Sequence, residues 1–198
     1  SRRPSYIYLQ IRSKKRGIIM KVIAFGASSS RTSINKKLAT YTANLAATTN
    51  SDIKVEILDL NDFELPIFSQ DKEIELGQPE AAKAFFDKLG ESDAIIISFA
   101  EHNGSYTAAY KNLFDWASRI NQKVFQSKPM LLLATSPGPG GAASVLAAAV
   151  GSAPYFAGDV KASLSIPSFF ENFDLENNTV TNQDIRQKLL AAVTDLTA

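Results

Sequence analysis

The sequence predicts an α/β domain: one five-stranded parallel sheet with helices on both faces. Two observations carry this. Short, wholly apolar runs alternate with longer amphipathic stretches along the chain, which is how a chain reads when its strands are buried on both sides and joined by helical crossovers. The segments after three of the runs, 27–35, 100–105 and 136–141, are crowded with Gly, Ser and Asn. In such sheets ligands sit beyond the carboxyl ends of the strands, at the point where strand order reverses.

The elements follow in order. Val22–Phe25 is the first buried strand, ending at Gly26. Ser33 or Asn35 caps a helix that runs to about Asn50 and turns Ile34, Leu38, Tyr41 and Leu45 to one side. Ile53–Leu60 reads as the second strand. An irregular stretch with Pro66, Gly77 and Pro79 leads to a helix carrying Ala81, Phe85 and Leu89 inward and ended by Gly90. Ala94–Phe99 is the clearest strand. A turn at Asn103-Gly104 precedes a helix with Ala109, Leu113, Phe114 and Trp116. Met130–Ala134 is the fourth strand, Ala142–Phe156 a small-residue apolar helix, Val160–Ile166 the fifth strand and Asn182–Leu196 a closing amphipathic helix. Residues 1–19 read as an extension outside the core, and 20–198 as the domain. The extension is taken as an upstream appendage, with a basic targeting arm or an edge strand through Tyr6–Ile11 as the other readings.

Composition narrows the chemistry. The 198 residues are 45% apolar, enough for a sizeable core, and the net charge is +1. Arg2, Arg3, Arg12, Lys14, Lys15 and Arg16 all precede Met20. Without those six the remainder carries about −5, which argues against nucleic acid as a partner. The absence of cysteine excludes disulfides, thiolate catalysis and cysteine-ligated metals. A single histidine, His102, excludes a histidine-rich metal site, and no metal is expected. No apolar run approaches the ~18 residues of a membrane span. Lack of cysteine and of a signal peptide favours the cytoplasm.

The first loop, Gly26-Ala27-Ser28-Ser29-Ser30-Arg31-Thr32-Ser33-Ile34-Asn35, delivers a strand to a helix N-terminus. Unpaired N–H groups, the positive helix end, several hydroxyls and Arg31 suit it to a phosphate. It contains neither Gly-x-Gly-x-x-Gly nor Gly-Lys-Ser/Thr, so a dinucleotide-binding dehydrogenase and a P-loop nucleotidase are both poorly supported. In the second loop, Asn103-Gly104 permits a tight turn of positive φ that offers N–H groups to the edge of a planar ring. The third, Ser136-Pro137-Gly138-Pro139-Gly140-Gly141, allows close backbone approach.

Taken together, these residues resemble the NAD(P)H-dependent FMN reductases, the flavodoxin-like quinone and chromate reductase group, from about Met20 to Leu196. That family opens with strand-Gly-Ser-x-Arg-x-x-Ser-x-Asn-x-x-Leu-Ala. Ser28, Ser33, Asn35, Leu38 and Ala39 stand at matching positions, while Ser30 replaces the arginine and Arg31 follows one place later, so that either Ser30 and Arg31 share the phosphate role or Arg31 points elsewhere. The family's Leu-Pro-Leu-Tyr-Asp stretch is similar to Leu65-Pro66-Ile67-Phe68 with Asp71. Its Pro-Glu-Tyr-Asn-Gly-Ser…Leu-Lys-Asn-x-x-Asp-Trp block is matched by Ala100–Ser105 and Tyr110–Trp116, with Ala100 and His102 in place of proline and tyrosine. Its Ser-x-Gly-x-x-Gly-Gly turn resembles Ser136–Gly141.

The resemblance implies strand order 2-1-3-4-5, bound FMN, NADPH or NADH as donor, and a small acceptor: a quinone, free flavin, azo compound or metal oxyanion. Electrons pass by ping-pong hydride transfer, the cofactor supplying the chemistry. The implied cofactor-binding residues are Ser28, Ser30, Arg31, Ser33, Ile34 and Asn35; Ala100, Glu101, His102, Asn103, Gly104 and Ser105; and Ser136, Pro137, Gly138 and Gly141. His102 is the one candidate proton donor, against a reading in which it lines the pocket. A homodimer or homotetramer is expected, built on the helices around Phe114–Trp116 and Val145–Phe156. Two rivals share the fold: a flavodoxin-type electron carrier and a flavin-free binding module.

Overall fold

The structure, a computed structural model, describes residues 17–198. The extension and the edge strand considered at Tyr6–Ile11 fall outside or largely outside these residues.

Strands β1 (Met20–Ala27), β2 (Ile53–Ile57), β3 (Ala94–Phe99), β4 (Pro129–Thr135) and β5 (Asp159–Ile166) form one sheet in the order β2-β1-β3-β4-β5. Every pairing is parallel, Val22 lying beside both Val55 and Ala94. The side chains divide by the two-residue period of a strand. Ile23, Phe25, Ile95, Ile97, Met130 and Leu132 meet α3 (Glu80–Glu91), α4 (Ala108–Ile120) and α5 (Ala143–Ser152) on one face. Val22, Ala24, Ile96, Leu131 and Leu133 meet α1 (Ile34–Thr49) and α7 (Gln183–Thr197) on the other. All six side chains of β3 are buried, as expected for a central strand covered by helices on both sides.

Four local expectations change. The second strand stops at Ile57, because the Asp59 carboxylate accepts the N–H of Asn61 and starts a 3₁₀ turn over Leu60–Phe63. The stretch taken as irregular contains α2 (Gln70–Leu76), capped by Ser69 Oγ and ended by Gly77 at φ 67°. Gly90 lies inside α3 rather than ending it: a Cβ there would stand 2.5 Å from Gln126 Oε1, so the glycine makes room for that side chain. The long apolar helix breaks after Ser152 into a 3₁₀ turn, Ala153–Phe156, where Pro154 has no N–H to continue it. The sequence reading also missed α6 (Phe169–Asn172) and the small hairpin of β6 (Phe173–Asp174) with β7 (Thr179–Val180). No helix among the described residues is long and apolar enough to cross a membrane.

Candidate cofactor site

The strand ends β1, β3 and β4 bring the three Gly/Ser/Asn loops to one edge of the sheet. The first loop is shaped by a close approach. A Cβ on Gly26 would lie 2.4 Å from Lys36 N and 2.7 Å from its Cα, so only glycine lets the first turn of α1 rest on β1. Beyond it the chain folds on itself. Ser30 N–H donates to Ser28 Oγ at 3.1 Å and Ser33 N–H to the Ser30 carbonyl at 3.1 Å. Ser33 Oγ then accepts from Lys36 N–H at 3.1 Å as the helix cap. The first turn of α1 has no acidic residue to offset its positive end.

Residues beyond β2 brace this loop. Asn61 Nδ2 donates to the Ser29 carbonyl at 2.9 Å, and Lys36 Nζ reaches Asp59 Oδ2 at 2.6 Å. The hydrogen bond from Lys36, with a second from Asn61 N–H, holds the Asp59 carboxyl down at about 2. The carboxylate therefore stays ionised and keeps Lys36 turned toward the strand end.

The second loop is a two-residue hairpin. His102 and Ser105 exchange backbone hydrogen bonds at 3.0 and 3.1 Å, and Asn103 and Gly104 stand at φ 54° and 76°. Positive φ at both central positions defines a type I′ turn, which accounts for Asn-Gly here. The N–H groups of Asn103 and Gly104 take no part in that exchange. Glu101 Oε1 accepts from Val145 N–H at 2.8 Å. It thus caps α5, whose own N-cap, Ala142 at φ 57°, supplies no side chain. Thr107 Oγ1 donates to the Ala27 carbonyl at 2.8 Å and accepts from Tyr110 N–H, fastening the start of α4 to the end of β1.

The third loop is tied down by Ser136. Its Oγ donates to the Gly138 carbonyl, and its own carbonyl accepts from Phe169 N–H at 3.0 Å. Gly141 sits at φ 61°, where a Cβ would fall 2.4 Å from Ser165 Oγ.

Asn35 joins the loops from below. It is 2% exposed. Its Oδ1 accepts from Ser98 Oγ at 2.7 Å and Thr135 N–H at 3.1 Å, and its Nδ2 donates to the Thr135 carbonyl at 3.1 Å. One amide thus connects α1 to the ends of β3 and β4. Ser98, Thr107 and Thr135 were not singled out in the sequence. The signal available for two of them was a polar residue at the end of an otherwise apolar strand, Ala-Ile-Ile-Ile-Ser-Phe and Leu-Leu-Leu-Ala-Thr.

Around this floor lies a pocket of about 280 Å³, lined by Ser28, Ser30, Ser33, Ile34, Asn35, Ala100, Glu101, His102, Ser136 and Pro137, with Thr32 and Thr135. Asn103, Gly104, Ser105, Gly138 and Gly141 shape the turns around it. Arg31 is placed elsewhere: it lines a separate cleft of about 460 Å³ along the outer side of α1. Ser30, at the position of the family's arginine, lines the main pocket. A more enclosed apolar cavity of about 360 Å³ lies between α4 and α5, among Tyr106, Phe114, Phe125 and Phe156. It lacks the loop hydroxyls and the α1 terminus, so the loop pocket is the one suited to a phosphate-bearing ligand.

The residues present fit FMN on these grounds. Hydroxyls cluster at an uncompensated helix N-terminus, where a phosphate is stabilised. The I′ turn leaves two N–H groups outside its own exchange, and no atom lies within 4 Å of where a Cβ on Gly104 or Gly138 would stand.

Comparison with known proteins accords with this architecture. The profile of the family described as NADPH-dependent FMN reductase matches residues 20–170, and the chain belongs to that family. A 2-hydroxy-1,4-benzoquinone reductase of Burkholderia sp is 36% identical over 125 residues, 63% of this chain and 64% of the relative. An NADPH:quinone oxidoreductase of Arabidopsis thaliana is 31% identical over 126 residues, 64% of this chain and 63% of the relative. The matched region thus spans just under two thirds of the length of these curated relatives. Among solved structures, FerB of Paracoccus denitrificans, described as a flavoenzyme NAD(P)H:(acceptor) oxidoreductase, superposes with TM-score 0.74 at 25% identity, covering 90% of this chain and 95% of FerB. A Pseudomonas aeruginosa flavodoxin shares the fold at TM-score 0.56 and 14% identity, covering 90% of this chain and 100% of that one. The fold is flavodoxin-like.

Proposed function

We propose that the chain is an FMN-dependent NAD(P)H oxidoreductase acting on small quinone-type acceptors. The observation that carries this is the convergence of three loops on one pocket, with hydroxyls and a bare helix terminus at one end and the I′ turn at the other. Family membership and the printed activities of the Burkholderia and Arabidopsis relatives support it.

In this reading Ser28, Ser30, Ser33 and the N–H groups of the first turn of α1 hold the cofactor phosphate. Asn35 fixes the spacing of the loops and so the orientation of what they hold. The Asn103 and Gly104 N–H groups would serve the ring edge, and Pro137 with the Gly138 backbone would close the far wall. FMN, when bound there, would supply the two-electron chemistry that links a reduced nicotinamide to the acceptor, in the alternating order proposed for the two substrates. For a quinone the sum is NAD(P)H + H⁺ + quinone → NAD(P)⁺ + hydroquinone. His102 is exposed at the pocket wall. It borders the space that donor and acceptor occupy in turn, and it is the one imidazole able to hand a proton to the reduced acceptor there.

The visible spectrum of the protein incubated with FMN tests the reading. The expected result is a bound flavin band that bleaches on anaerobic addition of NADPH or NADH and returns on addition of a benzoquinone. A bound band that neither donor bleaches would identify an electron carrier fed by another protein. Failure to bind FMN at all would sink both.

A homodimer or homotetramer belongs to the same proposal. On the helix around Phe114–Trp116, Trp116 packs internally: it is fully buried and its Nε1 donates to the Pro66 carbonyl at 2.7 Å. The outer face of α5 differs from it. Ala143, Ser144, Ala147, Ala148 and Gly151 are exposed on a helix without a single charge, and a helix apolar on all sides is normally covered. Equilibrium sedimentation should therefore give a multiple of 21.5 kDa, and Ala148→Arg should shift it to the monomer mass. A monomeric parent chain would refute the assembly.

A further inference from the structure

We propose that the cleft on the outer side of α1 is the subsite for the adenosine 2′-phosphate of NADPH, and that Arg31 and Lys37 select this donor over NADH. The inference rests on the reductase reading above and goes beyond it by naming the donor and the residues that choose it.

The displaced arginine is the starting point. Arg31 was expected on the cofactor phosphate, but it lines the second cleft, whereas Ser30 faces the first. The two spaces share Ser33, so they are neighbours around the N-terminus of α1. A donor whose nicotinamide stacked over the flavin ring, with its diphosphate running back past the cofactor phosphate at Ser33, would have the second cleft open to its adenosine end. Helix α1 carries the cleft along one face, since Lys37, Tyr41 and Asn44 recur at helical spacing from Ser33.

The charges in the cleft are of one sign. Arg31, Lys36 and Lys37 line it, and no carboxylate does. Lys36 is committed to Asp59 at 2.6 Å. Among the described residues Arg31 and Lys37 have no carboxylate within 4.0 Å, and residues 1–16 contain no acid. Two uncompensated cations at the mouth of a polar cleft match a phosphate monoester, which carries close to two negative charges near neutral pH. The 3′-hydroxyl and bare 2′-hydroxyl of NADH offer them nothing comparable.

The rest of the lining suits a nucleoside. Tyr41 is half-buried and held from two sides: Arg186 Nη1 donates to its hydroxyl at 2.9 Å, and its ring meets Phe173 edge-on at 6.2 Å between centroids. It is thus a fixed aromatic wall for a purine. Asn44 supplies an amide from α1, and Asn178, held at φ 49° in the turn between β6 and β7, brings a second from the opposite side. Amide donors and acceptors beside an aromatic wall fit the edge of adenine.

Binding of adenosine 2′,5′-bisphosphate to the FMN-incubated protein, measured by calorimetry, tests this without reference to turnover. The bisphosphate should bind at least tenfold more tightly than 5′-AMP, and inorganic phosphate should compete only at far higher concentration. Arg31→Ala combined with Lys37→Ala should remove that difference. In turnover assays the ratio of KM for NADH to KM for NADPH should fall at least tenfold in the double variant. Equal binding of bisphosphate and AMP by the parent protein would overturn the proposal even if the protein proved an active reductase. So would a double variant whose principal defect was a weakened FMN Kd, since Arg31 would then serve the cofactor phosphate after all. If no donor is oxidised, the reductase reading fails, but the bisphosphate result still decides whether the cleft takes a 2′-phosphate.

Discussion

Asn35→Leu is expected to lower folding stability by about 2–5 kcal/mol and to abolish retention of FMN. Leucine keeps the branching and heavy-atom count of asparagine but none of its polar atoms, so the largest part of the effect is lost hydrogen bonding, with some overpacking from its bulkier methyls. That largest part comes from stranded partners. Ser98 Oγ, on a residue with no exposure, loses its acceptor, and the N–H and carbonyl of Thr135 lose theirs at a residue 1% exposed. A buried polar group without a partner costs about 1–3 kcal/mol. In a domain of this size such a loss lowers the melting temperature by roughly 4–20 °C. Thermal melts of the cofactor-free protein, followed by flavin titration, measure both effects. Asn35→Asp provides the intermediate case, since a carboxylate still accepts from Ser98 and Thr135 but no longer donates to the Thr135 carbonyl. A leucine variant that melts with the parent would show that Asn35 does not hold the strand ends together.

The same cluster shows what was legible in the sequence. Asn35 was readable as a site residue because it stands at a fixed interval after β1, yet its partners are 63 and 100 residues away. Only the parallel register that brings β3 and β4 together puts Ser98 and Thr135 under it. The strands themselves were plain, since burial on both faces leaves little but apolar residues in them. The Asn103-Gly104 turn was plain because positive φ at two successive positions admits few side chains. Arg31 was not. A one-residue shift in a loop that hydrogen-bonds to itself through Ser28, Ser30 and Ser33 sends consecutive side chains to opposite sides of a helix terminus, and composition is blind to that. Glu101 was read as a cofactor residue. It does line the loop pocket, and its carboxylate also caps α5, a second role fixed by the left-handed Ala142 that leaves that helix without a cap of its own. The helix α2 escaped notice because its seven residues have none buried and so leave no apolar period to read.

Gly26→Ala and Gly104→Ala should separate the two uses of glycine in this site. At Gly26 the added Cβ meets backbone, 2.4 Å from Lys36 N, with no flexible side chain to yield. The first turn of α1 must retreat by about 1 Å to reach ordinary contact, and overpacking of this kind costs about 1–3 kcal/mol. The retreat carries the helix N-terminus away from the other two loops and strains the adjacent Asn35. Gly26→Ala is therefore expected to lower the melting temperature of the cofactor-free protein and to raise the FMN Kd at least tenfold. At Gly104 the Cβ meets nothing within 4 Å, so the cost is limited to left-handed backbone at φ 76°, about 1 kcal/mol for a non-glycine residue. That variant should melt within a few degrees of the parent. Its FMN affinity should nonetheless fall, because the Cβ occupies the open space beside the N–H groups assigned to the flavin edge. Fluorescence titration of both variants, set against their melts, reads the difference. If Gly104→Ala binds FMN as the parent does, the I′ turn does not face the ring, and the orientation proposed for the cofactor has to be reversed.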